Sequence, residues 1–369
     1  MKPAAAFWRC DACKTPNPSA AYIKTCLGCG ASRPVDAARA RRLRPGLVQV
    51  LSVLFMLLVV AAWASLRYAE RWVIPTAVMF MPRWLFLPPL LGLAVLAYRH
   101  RRRRLWLLHA LTAGLVVGPL MGLRLGGLSA APGVGKTVTV MTLNLGQGPI
   151  DVARLARLIE SNDVQVLCFQ EKHPDPPLDD YLAKGWFRDR REAIFSRLPI
   201  VREWDPAEGP WDEYGNWPAR VSRVLLRTPD RRPLAVASVH LPTMRYGFAK
   251  LSRLDLAGFR RYLGWRWTQA RALRSRLDEM SEYPTLVGGD LNMPADSPMM
   301  STLQPHFRSA YRDRGVGHGY TRPSTVPWAG IDHLLRGPGL STIRAEVGPP
   351  VGSDHRPLIA VFRLPDGPR

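Results

Sequence analysis

The stretch GLVQVLSVLFMLLVVAAWASL, residues 46–66, limits the folding options of this chain more than any other. It carries no charge. As a helix rising about 1.5 Å per residue it measures roughly 30 Å, the thickness of a bilayer's hydrocarbon core. A second such run, LWLLHALTAGLVVGPLMGL (105–123), contains one histidine. Between them WLFLPPLLGLAVLAY (84–98) is short. It reaches spanning length only by borrowing from VIPTAVMFMP, with Arg83 near one end. Two long uncharged runs weigh against a helical hairpin buried in a soluble domain, and a cleaved signal peptide would begin earlier in the chain. The expectation is an integral membrane protein whose anchor, 37–130, has about three transmembrane helices, 46–66, 77–98 and 105–123.

The charge distribution follows the same division. The net charge is +22, which taken alone invites a nucleic-acid reading. Residues 1–135 hold 18 Lys+Arg and 3 Asp+Glu, 18 − 3 = +15; residues 136–369 hold 33 and 26, 33 − 26 = +7. The excess therefore sits around the apolar runs. ARARRLR precedes the first of them, and RHRRRR (99–104) separates the second from the third. Basic loops stay on the cytoplasmic side. This predicts a cytoplasmic N-terminus at the cell membrane and an extracytoplasmic region after about residue 124.

Four of the five cysteines, Cys10, Cys13, Cys26 and Cys29, form two CxxC knuckles. That spacing points to a tetrahedral four-cysteine zinc site in a small domain over 1–36, which has too little core to fold without the metal. Disulfides are the alternative, and a reducing cytoplasm disfavours them. With Trp8, Asn17 and Arg33-Pro34 in place, the segment resembles zinc fingers of the Ran-binding-protein type, whose members bind single-stranded RNA or ubiquitin. The Thr-Phe pair of the ubiquitin binders is absent, since Lys14, Thr15 and Pro16 follow Cys13. The resemblance implies an RNA or protein partner. Cys168 lies in an apolar strand and reads as core.

APGVGKT (131–137) ends as a nucleotide-binding loop does, but residue 130 is Ala where that motif has its first glycine. The motif also needs a strand before it and a helix after it. Here an apolar span precedes and the alternating strand VTVMTLNLG follows, so the segment reads as a linker.

From 136 to 366 strand patterns dominate: TVTVMTLNL, VQVLCFQE, AIFSR, SRVLLRT, LAVASVHL, TLVGGDLN, IDHLL and RPLIAVFRL. Helical periodicity appears at DVARLARLIE and across 249–280. The expected class is α/β, two packed mixed β-sheets flanked by helices. Polar residues follow the apolar runs: Asn144, Glu171, His240, Asp290 with Asn292, Asp332, and Asp354 with His355. Any one of them could hold a turn or satisfy a core. As a set, they pool charge wherever the strand ends meet. Carboxylates with two histidines, and no obvious serine or cysteine nucleophile, favour metal-assisted attack of water on a phosphoester over acyl transfer.

The ordered segments MTLNLG, CFQE, IFSRLPI, SVHLP, VGGDLNMP, IDHLL and GSDHRP resemble the endonuclease/exonuclease/phosphatase superfamily, which includes deoxyribonuclease I and neutral sphingomyelinase. The resemblance implies a four-layer α/β sandwich. It implies Mg (or Mn) held by Glu171 with Asn144 and Asp354. It further implies that Asp332 orients His355, that either His355 or Asp290 acts as base, that His240 contacts the phosphate, and that Asn292 orients the phosphate or the water. Arg220 and Arg223 are candidate phosphate neutralisers. Nucleic acid is the expected substrate, with a phospholipid or phosphorylated head group as the alternative; the reading of a different class is a catalytically inactive membrane binding or signalling protein. The Arg-rich helix (Arg253, Arg260, Arg261, Arg266, Arg271, Arg274, Arg276) could follow a polyanion or lie on anionic lipid.

Overall fold

The computed structural model describes residues 7–10, 12–18, 25–31, 45–128, 135–146, 148–209, 218–304 and 306–365. Arg33, Pro34, the side chain of Trp8, the basic segment 38–44 and residues 131–134 of the linker lie outside them. The chain divides into two compact units, Met1–Val50 and Leu51–Arg369.

In the first unit β1 (Phe7–Arg9) pairs antiparallel with β2 (Pro16–Pro18). Each CxxC knuckle closes by the same bond: Lys14 N–H donates to Cys10 O at 2.9 Å, and Gly30 N–H to Cys26 O at 2.9 Å. The closing residue is left-handed in both, Lys14 at φ 58° and Gly30 at φ 70°. Asn17 is buried and ties the knuckles together, accepting from Leu27 N–H at 2.8 Å.

The second unit begins with apolar helices. α1 (Pro45–Ser65) belongs to the one described helix long and apolar enough to cross a membrane, Gly46–Tyr68. The expected middle span is instead two pieces, α2 (Val73–Phe80) and a segment Arg83–Arg99 containing α3 (Leu87–Arg99), bent by 97°. Pro82 falls at the break, where it cannot donate to a helical ladder. Arg83 is turned inward and buried. The third run is also shorter than expected: α4 (Leu105–Leu115) and a π-helical stretch Val116–Leu120 that accommodates Pro119. Ser52 and His109 join α1 to α4 at 3.0 Å. Val53, Leu54, Leu57, Leu58, Leu91 and Leu107 remain exposed on the outside of these helices.

After β3 (Arg124–Leu125) the rest of the chain is built on two mixed sheets. The first contains β4 (Thr137–Asn144), β5 (Val166–Gln170), β6 (Phe187–Arg188) and β7 (Ile194–Ser196), with β16 (Ser341–Val347) and β17 (Leu358–Arg363), in the order β16-β17-β4-β5-β7-β6. The second contains β8 (Ile200–Glu203), β9 (Ala207–Glu208), β10 (Arg220–Arg227), β11 (Pro233–His240), β12 (Thr285–Asp290), β13 (Arg308–Ser309) and β15 (Asp332–Arg336), in the order β13-β15-β12-β11-β10-β8 with β9 on β10. The remaining strand, β14 (Val316–Gly317), pairs with β3. Each sheet centres on one parallel pair, β4/β5 or β11/β12, joined by a helical crossover as a parallel connection requires.

Period-2 alternation divides the side chains into three apolar layers. Val138, Val140, Val166, Cys168, Val224, Leu226, Leu234, Val236 and Leu286 fill the space between the sheets. Met141, Leu143, Leu167 and Phe169 face outward onto α5 (Val152–Ser161) and α6 (Pro176–Leu182). Val221, Leu225, Ala235, Ala237 and Val287 face the long helix α8 (Leu256–Asp278). Helix, sheet, sheet and helix make the expected four layers. The short α7 (Arg245–Ser252) precedes α8 and packs on it through the cluster of Phe259, Tyr262 and Leu263, which also takes in Val73 and Phe80 of α2.

Candidate active site

The alternation that builds the middle layer also builds the site. His240 pairs with Asp290, Asp290 with Asp332, and Arg220 with His240, giving one row of four across the end of the second sheet. All four have the parity of Leu234, Val236 and Leu286, so they point between the sheets. Asn144 has the same parity on β4. Glu171 follows Gln170 with a left-handed backbone, φ 52°. Asn292 is left-handed too, at φ 49°. A non-glycine residue held there costs on the order of 1–3 kcal/mol, which its surroundings must offset. Gly289 permits the close approach of β11: a Cβ there would lie 1.9 Å from Val239 O.

Glu171, Arg220, His240, Asp290 and Asn292 line a cleft of ≈ 1090 Å³, while Asn144 and Asp332 are buried and not part of its lining. Asn144 Nδ2 donates to Glu171 Oε1 and to Asp290 Oδ2, each at 3.0 Å. Its own oxygen accepts from Gly146 N–H at 2.9 Å. His240 Nε2 stands 3.5 Å from Glu171 and 3.8 Å from Asp290. Asn292 binds Asp290 twice, N–H to Oδ1 at 2.8 Å and Nδ2 to Oδ2 at 3.2 Å, and reaches Leu241 O at 2.9 Å. His355 Nδ1 lies 2.8 Å from Asp332 Oδ2, which leaves Nε2 facing Asp290 at 3.9 Å. Asp354 is exposed at the cleft rim and paired with Arg322 at 2.8 Å. Its Oδ1 packs against Gly146, where a Cβ would come within 2.6 Å.

Burial, followed by the charge of Asp332, pushes the Asp290 carboxyl above the usual carboxylate range, against the opposing pull of His355 and His240. Burial alone would lower His355, but the charge and hydrogen bond of Asp332 and the charge of Asp290 outweigh it and raise the imidazole to about 9. Asp290, Asp332 and His355 offer ligand atoms within 4.8 Å of one another. The Asp332–His355 contact is already a hydrogen bond, so that pair suits orientation. Glu171 and Asp290, which share the amide of Asn144, and Asp354 at the rim add carboxylate oxygens, the hard donors a divalent cation prefers. The site residues fit such an ion.

Arg220 lines the cleft. Arg223 does not: it has the parity of Val221 and Leu225 and turns to the other face of the sheet, where it bonds Glu279, Arg276 O at 2.9 Å and Asp205 O at 3.2 Å. No arginine of α8 lines the cleft either, and α7 alone of the two helices contributes, through Arg245 and Tyr246.

Several supporting residues were not singled out from the sequence. Ser353 accepts from His355 N–H at 2.9 Å and donates to Asn144 O at 2.6 Å, joining two site loops. Gln170 reaches Ser238 at 3.1 Å and so bridges the sheets beneath the site. The parity of Ser238 with His240 was a readable signal; the contacts of Ser353 were not.

Residues 141–355, more than half of the chain, match the Endonuclease/Exonuclease/phosphatase family. The chain belongs to that family. The endonuclease/exonuclease/phosphatase chain is thus a hydrolase of phosphoric esters. Similar solved structures include a family protein from Bacteroides thetaiotaomicron (16% identity, TM-score 0.48, covering 63% of this chain and 99% of that one). Another is the endonuclease/exonuclease/phosphatase from Beutenbergia cavernae (19%, 0.45, 62% and 72%), and a third is the catalytic domain of human nocturnin with bound sulfate (16%, 0.44, 61% and 93%). No curated protein matches.

In the first unit the four cysteines are free, with Sγ–Sγ separations of 3.7 Å for Cys10–Cys29 and 3.5 Å for Cys13–Cys26. A disulfide needs about 2.05 Å. Four thiolates about 2.3 Å from a tetrahedral ion lie roughly 3.8 Å apart, so this cluster also fits a metal.

Proposed function

We propose that the protein is a membrane-anchored phosphodiesterase, dependent on Mg or Mn, that acts on a phosphorylated lipid at the surface holding its anchor. One observation carries the lipid reading. The helix whose first residues, Arg245 and Tyr246, wall the cleft belongs to a hairpin packed on the apolar helices, with Phe80 and Phe248 rings 5.9 Å apart. Leu254 at the hairpin turn is 88% exposed, and Lys250 and Arg253 flank it, the composition of an interfacial contact. The arginines of α8 could have followed a polyanion or lain on anionic lipid. Their absence from the cleft makes nucleic acid the lesser reading.

A divalent cation beside Glu171 and Asp354, with Asn144 positioning the donors, would neutralise phosphate charge and orient the ester. Asp332 fixes the His355 ring by accepting from Nδ1–H, so that Nε2 or the adjoining Asp290 carboxylate takes the proton of the attacking water. Asn292 holds Asp290 in place. His240 stands where it can contact the phosphate and protonate the leaving oxygen, and Arg220 adds positive charge.

The apolar exterior of α1, α3 and α4 supports anchoring. The connection 66–83 and residues 120–124 meet the catalytic region, whereas the arginine loop 99–104 is exposed at the far ends of α3 and α4. That arrangement supports an extracytoplasmic catalytic region and a cytoplasmic N-terminus. The four-cysteine site is assigned zinc, and its partner an RNA or a protein.

The test uses the full chain in nanodiscs, offered phosphodiester lipids, plasmid DNA and RNA, with Mg²⁺ or with EDTA. Lipid turnover abolished by EDTA and lowered about 10²–10⁴-fold in Asp290→Asn and His355→Ala is the expected result. Turnover of nucleic acid alone overturns the lipid reading, and turnover unaffected by EDTA overturns the metal.

A further inference from the structure

The apolar helices do more than lie beside the catalytic region: their connections reach under the active site. Glu70, between α1 and α2, is fully buried and left-handed at φ 58°. Its Oε1 accepts from Arg266 Nη1 at 3.0 Å, its other oxygen accepts from Ser297 Oγ, and its backbone O accepts from Trp267 Nε1 at 3.0 Å. Neither charge of this ion pair sees solvent, with side-chain exposures of 2% and 0%.

Arg266 carries the contact into the site. Its Nη2 donates to Asn292 O at 2.7 Å and its Nε to Pro242 O at 3.2 Å. These are the loops leaving β12 after Asp290 and β11 after His240. A second strut ends on the same loop: Arg83 pairs with Asp296 at 2.6 Å while donating to Leu120 O at 2.8 Å and Met79 O at 3.1 Å. Asn292 has a left-handed backbone, so something must hold its peptide. The described contacts supply Arg266 on its carbonyl and Asp290 on its N–H.

We propose that Glu70 and Arg83, which belong to the anchor, are positioning residues for the hydrolysis: they fix the Asn292 loop through Arg266 and Asp296, and the active site is assembled only when the anchor is docked. The anchor thereby becomes a point of control, because any change in the membrane that shifts α2 acts on Asn292, and through it on Asp290. Removing Glu70 leaves a buried guanidinium without its counter-charge, and that guanidinium turns to the nearest remaining oxygens, those of the site loops.

This inference rests on the hydrolase reading above. It is tested on the full chain in nanodiscs with a chromogenic phosphodiester, at a temperature well below melting. Glu70→Ala and Asp296→Asn are expected to lower kcat ten- to hundredfold with KM within about threefold. Glu70→Gln, which keeps the acceptors but not the charge, is expected to recover part of the loss. Asp313→Asn, which breaks an ion pair with Arg336 away from the cleft, leaves kcat unchanged. Wild-type kcat in both Glu70→Ala and Asp296→Asn, or a loss matching only the unfolded fraction, overturns the proposal. A wild-type chain inactive on every phosphoester sinks the hydrolase reading instead, and the inference with it.

Discussion

At the scale of single residues, strand parity decides what each side chain can do. Arg220 and Arg223 are three apart on one strand and therefore face opposite ways. Arg220→Ala is expected to reduce turnover about tenfold. Arg223→Ala instead removes the buried partner of Glu279, costing about 1–3 kcal/mol of stability with turnover at low temperature nearly unchanged; turnover and melting curves of the two variants distinguish these outcomes. Parity also explains what could be read directly. Asn144, His240 and Asp290 end strands and Asp332 opens one, and they were visible as a group, whereas Arg322 and Ser353 act through contacts between segments distant in the chain. Arg266 had a signal that is easy to pass over: it falls in the buried stripe Phe259, Leu263, Ala270, Leu273 and Leu277 of an otherwise basic helix. The raised imidazole of His355 makes a further prediction for the protein without metal. A group whose value rises on folding, here from the ordinary 6.5 to about 9, contributes fully below 6.5 and loses that contribution as pH climbs through 9. The melting-temperature gap between wild type and His355→Gln in EDTA should shrink from pH 6 to pH 9.5; a gap that stays constant or widens contradicts it.

At the scale of elements, turns and glycines set the geometry that the site needs. Gly289 lets β11 and β12 lie close enough to bring His240 Nε2 within 3.8 Å of Asp290. Gly289→Ala forces the strands apart at Val239, so it is expected either to prevent folding or to cost turnover at least 10²-fold, as seen by circular dichroism and assay; a folded, fully active variant would refute the role. The apolar helices were legible as runs, but not their lengths. Pro82 breaks the second and Pro119 distorts the third, and nothing in the hydropathy showed that Arg83 would be buried against Asp296. The two cysteine knuckles were fully legible, because spacing alone constrains a tetrahedral site. Metal analysis of the full chain stripped of Mg²⁺ and Mn²⁺ should find one zinc, lost in Cys26→Ser with turnover retained. Zinc that survives the substitution rules out this site.

At the scale of the whole molecule, the fold class followed from strand runs separated by few helices, and the family from the ordered motifs. What stayed hidden was the dependence of one part on another. The sequence suggests a catalytic region separable near residue 136, but separating it exposes Phe259, Tyr262 and Leu263 where Val73 and Phe80 covered them, and strands Arg266 without Glu70. A fragment of residues 136–366 is therefore expected to melt lower and turn over at least tenfold more slowly than the full chain under the same assay; equal behaviour would show that the region is self-sufficient. Strand ends from both sheets are expected to gather around one divalent ion. An anomalous-difference map from a crystal of the full chain soaked in Mn²⁺ tests this most directly. A single strong peak in the cleft, about 2.2 Å from a Glu171 carboxylate oxygen and beside Asp290, is the expected result. A cleft without a peak in a crystal that still turns over phosphoester, or a peak away from Glu171, would contradict it.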